Sequence, residues 1–154
     1  MARFRFRLQS VLDHRERVER EKQRLLASAQ RKLLEAEEGL QRLRDEYERT
    51  AEMLRVKHAE LDAMGLYNHY AHMDYVMRGI RVAETKVAAC AQEVEQAQAA
   101  LMNARRRKKI LETLRERRRK AFEVEQAAQE QRMIDDLNAR RHGRDSTVLG
   151  GTLQ

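Results

Sequence analysis

From Leu33 onward, seam residues recur at alternating steps of three and four: Leu33, Ala36, Leu40, Leu43, Tyr47, Thr50, Leu54, Lys57, Leu61 and Met64. A 3.5-residue period marks one face of a helix committed to a coiled coil, here with one lysine inside the seam. On the N-terminal side, Leu25, Ala29 and Leu33 step by four and four, an eleven-residue phase, and Val18, Val11 and Leu8 extend the stripe. The pattern predicts a helix over about 4–64, on the order of 90 Å long if all of it is helical.

Gly65-Leu66-Tyr67-Asn68-His69 breaks the register with glycine and asparagine directly after the last seam residue, so the turn is expected at about 65–69. A second stripe then runs through Met73, Met77, Ile80, Val87, Cys90, Val94, Ala97, Leu101 and Ala104. It slips near a basic run and resumes at Ile110, Leu114, Ala121, Val124 and Ala128. It predicts a helix over about 70–142, closed by Arg140, Arg141 and Gly143, with 143–154 a flexible tail. Two helices with one apolar stripe each fold back on one another. The expected fold is all-α, a long antiparallel two-helix coiled-coil hairpin forming one domain over 1–142. A turn near residue 66 makes facing residue numbers sum to about 133, which sets Leu61 beside Tyr70 or Met73, Leu40 near Val94 and Val18 near Leu114.

Composition supports this and removes most alternatives. The 154 residues include no proline or tryptophan, three phenylalanines, four tyrosines and six glycines, and twenty of the apolar residues are alanine. Large side chains are too scarce to build a two-layer core around a pocket. No apolar run is long enough to cross a bilayer, and the start, rich in arginine and free of acid, lacks the apolar segment of a secretory leader. A single cysteine, Cys90, excludes an internal disulfide framework and fits a reducing compartment.

Charge changes the picture locally. The net +7 resides in residues 1–12, at +3, and 105–120, at +8, while the rest is slightly acidic. The second block contains Arg105, Arg106, Arg107, Lys108, Lys109, Arg115, Arg117, Arg118, Arg119 and Lys120. It suits phosphate contacts, but only Phe122 stands near it for base stacking, and Glu16, Glu19 and Glu21 on the opposing helix compensate part of it. A basic coiled coil that binds nucleic acid and a generic dimerising scaffold remain open as alternatives. His69, His72 and Asp74 are too few for a closed metal site, Cys90 reads as a seam residue, and phosphate loops and nucleophile elbows are missing. No cofactor, metal or catalytic residue is expected. Tyr67 and Tyr75 fall off-phase with Met73, Met77 and Ile80, so their rings should face water and suit a protein contact.

The opening FRFRLQSVLDHRERVEREKQ places Phe4, Phe6, Leu8, Val11 and Leu12 ahead of mixed acid and arginine. With the two long charged helices and one break, it resembles the FliJ family of the bacterial flagellar type III export apparatus. The resemblance implies a non-enzymatic cytoplasmic stalk, peripheral at the inner-membrane base of the flagellum. It implies binding in the pore of the hexameric export ATPase FliI, promotion of ring assembly and activity, contact with the export-gate protein FlhA, and escort of export chaperones. The ATPase-binding shaft end would comprise Phe4, Phe6, Leu8, Val11 and Leu12 with Arg105, Arg106, Arg107, Arg115, Arg117, Arg118 and Arg119. The gate-binding turn end would comprise Leu43, Tyr47, Met73, Met77 and Ile80, with Glu84 where the family's surface ends in a histidine.

Overall fold

Asp62 decides where the chain turns. Its side-chain Oδ1 accepts a hydrogen bond from the Gly65 amide at 2.8 Å, and its carbonyl accepts one from the Leu66 amide at 3.0 Å, so Asp62 is the N-cap of a helix. In this computed structural model, which describes residues 3–148 and side chains as far as Arg141, helix α1 spans Gln9–Lys57 and helix α2 spans Ala63–Val148. The two pack as an antiparallel coiled-coil hairpin. Arg55 and Lys57 occupy the last turn of α1, where positive charge suits the helix dipole.

The turn therefore lies at 58–62, not at 65–69, and α1 stops short of residue 64. Gly65 signals a helix start rather than an end. It is the third residue of α2, its φ is negative, and a Cβ there would come within 2.9 Å of Asp62 Oδ1. At the other end α2 continues to Val148, past the stop expected near 142, and the remaining residues of the expected tail, 149–154, lie outside the described ones.

The chain divides into two compact units, one of Arg15–Arg107 and one of Met1–His14 with Lys108–Gln154. In the first, the helices meet along an unbroken heptad seam. Glu19, Lys22, Leu26, Ala29, Leu33, Ala36, Leu40, Leu43, Tyr47, Thr50 and Leu54 are buried or half-buried on α1. On α2 the same holds for His69, Met73, Val76, Ile80, Ala83, Val87, Cys90, Val94, Ala97, Leu101 and Ala104. Leu40, Val76 and Ile80 form the core cluster, flanked by Leu43, Tyr47, Ala83 and Val87. Each such side chain removed from water contributes roughly 1.5–3 kcal/mol before the entropy of ordering the helix is subtracted.

Cross-helix contacts fix the register. Glu46 meets His72 at 3.0 Å, Arg44 meets Glu84 at 2.9 Å, Lys32 meets Glu93 at 3.7 Å and Glu19 meets Arg105 at 3.2 Å, giving residue-number sums of 118, 128, 125 and 124. Facing residues thus sum to about 124 instead of 133, and Leu40 packs with Val76 and Ile80 instead of Val94. The shift follows directly from the earlier turn.

The seam also corrects the stripe in detail. The eleven-residue phase is absent, because Leu26, not the exposed Leu25, continues the 3–4 alternation. Val76, at 2% exposure, takes the core position assigned to Met77, and Met77 lies half-buried beside it. The seam members Lys57 and Met64 are exposed, since α1 ends at one and α2 begins beside the other.

In the second unit the pattern continues through Lys108 and Leu111 without a slip, leaving Ile110 exposed. Leu12 is buried at 1%, Phe6 is buried, and the Phe4 and Phe122 rings meet at 5.7 Å and 50°. Ala121, Val124 and Ala128, expected in the seam, are exposed. From Glu123 to Arg141 every α2 side chain except Gln126 is exposed.

Candidate interaction surfaces

The N-terminal Arg3 to Arg7 has no helix of its own, and a backbone bond of 3.1 Å from the Gln9 amide to the Phe6 carbonyl turns it into α1. Phe4 and Phe6 are thereby laid against α2. Around them Phe4, Arg5, Phe6, Gln9 and Arg115 line an open groove of about 360 Å³. Its lining brings together two aromatic rings and two arginine side chains. Phe6 and Leu12, expected as contact residues, are buried and so shape this surface without being available to a partner. Phe4 and Leu8 are half-buried, and Val11 is exposed.

The basic run separates into paired and open cations. Arg119 donates to Glu123 Oε1 at 2.8 Å, and this carboxylate holds its guanidinium above the ordinary arginine range, so it stays charged at any physiological pH. Lys120 and Lys108 pair with Glu116 and Glu112, each one helical turn away. Arg117 and Arg118 are exposed, with no ion partner among the described residues. In the Arg15–Arg107 unit, Arg105 is tied to Glu19, whose exposure is only 9%, Arg106 lies 3.7 Å from Met102 Sδ, and Arg107 is exposed. A further cationic groove of about 460 Å³, lined by Arg17, Arg20, Glu21 and Arg24, was not singled out by the sequence reading. Its signal was the spacing 17, 20, 24, which places three arginines on one face of α1.

At the turn-proximal end, Leu43 and Tyr47 on α1 meet Val76 and Ile80 on α2. Ile80 is buried, so it supports this end of the hairpin without presenting itself. Leu43, Tyr47, Met73 and Met77 are half-buried and leave only edges in water. Glu84 is held by Arg44, and His72 Nε2 lies 3.0 Å from Glu46 Oε1, which ties the two helices on this face. Tyr67 and Tyr75 face water, as their phase indicated, together with Met64, Tyr70 and Val82. Val76 was missed as core because the longer Met77 drew the stripe one residue away.

Among the described residues, no group of three or more His, Cys, Asp or Glu side chains is placed to hold a metal, and no helix is long and apolar enough to cross a membrane. Cys90 is buried in the seam.

Comparison with known proteins bears on this architecture. The family model described as flagellar FliJ protein matches residues 4–147. A solved structure of a YscO homolog from Chlamydia trachomatis is similar at 24% identity, covering 94% of this chain and 99% of that one with a TM-score of 0.47. Among curated proteins, none matches the chain. The chain belongs to the FliJ family of type III export-associated proteins.

Proposed function

We propose that this FliJ-family chain is a non-enzymatic stalk of the flagellar export apparatus, seated in the pore of the hexameric export ATPase FliI. There it promotes assembly and activity of the ring and links it to the export gate FlhA, while escorting export chaperones. It works in the cytoplasm, peripheral to the membrane at the base of the flagellum. The observation that carries this reading is the surface of the unit containing the N-terminus. An aromatic groove rimmed by Arg5 and Arg115, with Arg117 and Arg118 open on the same helix, offers charge and shape to an acidic pore lining but no enclosed site for chemistry. Arg107 and the half-buried Phe4 and Leu8 extend the ATPase-facing set, and the edges of Leu43, Tyr47, Met73 and Met77 form the gate-facing one. Buried Ile80, Phe6 and Leu12 hold these surfaces in place.

The test is hydrolysis by the cognate ATPase with and without this protein, at low and physiological salt. Stimulation is expected, larger at low salt because exposed charges are screened beyond a Debye length of about 8 Å at physiological ionic strength. Joint replacement of Arg117 and Arg118 by glutamate is expected to reduce the stimulation at least several-fold with helicity unchanged. Full stimulation by that variant would remove the basic face from the mechanism. Salt-sensitive retention on DNA without any effect on the ATPase would favour the nucleic-acid reading.

A further inference from the structure

The seam of α2 nearly repeats itself every seven residues. From Ala83 it reads Ala83, Val87, Cys90, Val94, Ala97, Leu101 and Ala104, so each small residue is followed one heptad later by a small one and each branched residue by a branched one. A slide of α2 along α1 by one heptad therefore keeps the same face inward and alters little of the packing there. Near the turn, Leu40 would exchange Val76 and Ile80 for Ala83 and Val87. In return, the heptad of α1 would run on beyond Leu54 through Lys57, Leu61 and Met64, of which Lys57 and Met64 are now exposed. In the slid register facing residue numbers sum to about 131, seven more than the observed 124, which puts the turn near residue 65. Gly65 and Asn68 stand there as helix-ending residues. Two turn signals thus lie side by side, the Asp62 cap that the hairpin uses and the Gly65 stop that it passes over.

Polar contacts separate the two registers. One heptad beyond Glu93 is Ala100 and one heptad beyond Glu84 is Ala91, so the slide removes the partners of Lys32 and Arg44. Both pairs are about half exposed, and such pairs contribute little. Glu19 differs from them. Its side chain is only 12% exposed and sits in the seam, with Arg105 Nε 3.2 Å from its Oε1. One heptad beyond Arg105 stands Glu112. The slide would set this buried carboxylate against a like charge, which a site poor in water disfavours strongly.

We propose that the Glu19–Arg105 pair is a register lock, holding the hairpin in the observed pairing against a second one a heptad away whose turn lies near residue 65. A polar group inside a coiled-coil seam commonly fixes register in this way, at some cost in stability. The proposal goes beyond the export reading and does not depend on it.

The test uses the full chain in a Cys90→Ala background with cysteines in place of Lys32, Glu93 and Ala100, closed by a short-arm cross-linker and mapped by mass spectrometry. Linkage of 32 to 93 reports the observed register and linkage of 32 to 100 the slid one. With Glu19 in place, 32 to 93 should dominate. Glu19→Leu should raise the share of 32 to 100 by at least about fivefold without lowering the thermal midpoint, because an apolar seam residue replaces a buried charge. Glu19→Arg should raise it further, since it meets Arg105 in one register and Glu112 in the other. Adding Glu112→Arg to that variant should reverse the gain, which a loss of packing alone would not do. Glu19→Gln supplies the same comparison if either variant loses helicity. A share of 32 to 100 that stays at the parent level in the Glu19 variants, or a gain indifferent to Glu112→Arg, would overturn the proposal.

Discussion

The two units of this chain hold α2 in different ways. In Arg15–Arg107 the helices meet along the whole seam, and the cluster of Leu40, Val76 and Ile80 is bordered by two cross-helix polar contacts, the Arg44–Glu84 ion pair and the His72–Glu46 hydrogen bond. In the unit containing the N-terminus, the cover on α2 thins to the start of α1 and a short non-helical strip. Its anchors are Leu12, Phe6 and the Phe4–Phe122 ring pair. Beyond Phe122 the bonds among the described side chains of α2 lie within the helix, such as Gln131 to Asp135 at 2.9 Å. Local stability follows buried contacts, so the first unit is built to stay closed and the second to open at low cost. The thin cover leaves the edge of Phe4 accessible beside exposed Arg115, whereas along the well-covered seam Leu43, Tyr47, Met73 and Met77 show only edges.

The largest expected effect strikes the well-covered unit. Val76→Asp places an unpaired carboxylate against Leu40 and Ile80 and should cost about 4 kcal/mol, read as a large fall in the thermal midpoint with loss of helicity. A smaller but more local effect is expected from Leu12→Ala. It should cost about 2–4 kcal/mol, and by hydrogen exchange the amides of 108–122 should lose protection while those of 76–94 keep theirs. Uniform loss in both regions would show one cooperative body and break the comparison. The smallest effect has the opposite sign. A Cβ at Gly79 would sit 3.6 Å from Leu43 Cδ1, an ordinary contact, so Gly79→Ala should stabilise the core by about 0.5–1 kcal/mol through helix propensity. A fall in thermal midpoint would mean that Leu43 and Gly79 lie closer than described.

How far the sequence carried depends on which residues occupy the seam. On α1 from residue 33 spacing alone located it, as with Leu33, Ala36, Leu40, Leu43, Tyr47 and Leu54. Where polar residues occupy it, apolar neighbours drew the stripe aside: Glu19 and Lys22 hold seam positions on α1, and Lys108 does so on α2. A buried glutamate with an arginine partner looks in sequence like surface. The turn was misplaced for a related reason. Gly65 and Asn68 are familiar helix-ending residues, but an aspartate three positions before Gly65 caps a helix start just as well, and local rules do not rank the two. Because every facing pair inherits the turn, that one choice displaced the whole register. The family resemblance, by contrast, rested on the opening motif and the layout, neither of which depends on register. Of the expected contact residues, folding buries Ile80 in the seam and Phe6 and Leu12 near the N-terminus. Hydrophobicity alone does not distinguish a residue that packs at home from one that waits for a partner.

Every surface assigned above depends on the hairpin closing within one chain about 58–62. The most direct test is a short-arm cross-link between cysteines at Lys32 and Glu93, which face each other in the hairpin, in a Cys90→Ala background. The account predicts efficient linkage at the mass of a single chain, and none between positions 32 and 101, the pair a sum of 133 would bring together. Linkage only between chains, or preferential linkage of 32 to 101, would contradict it.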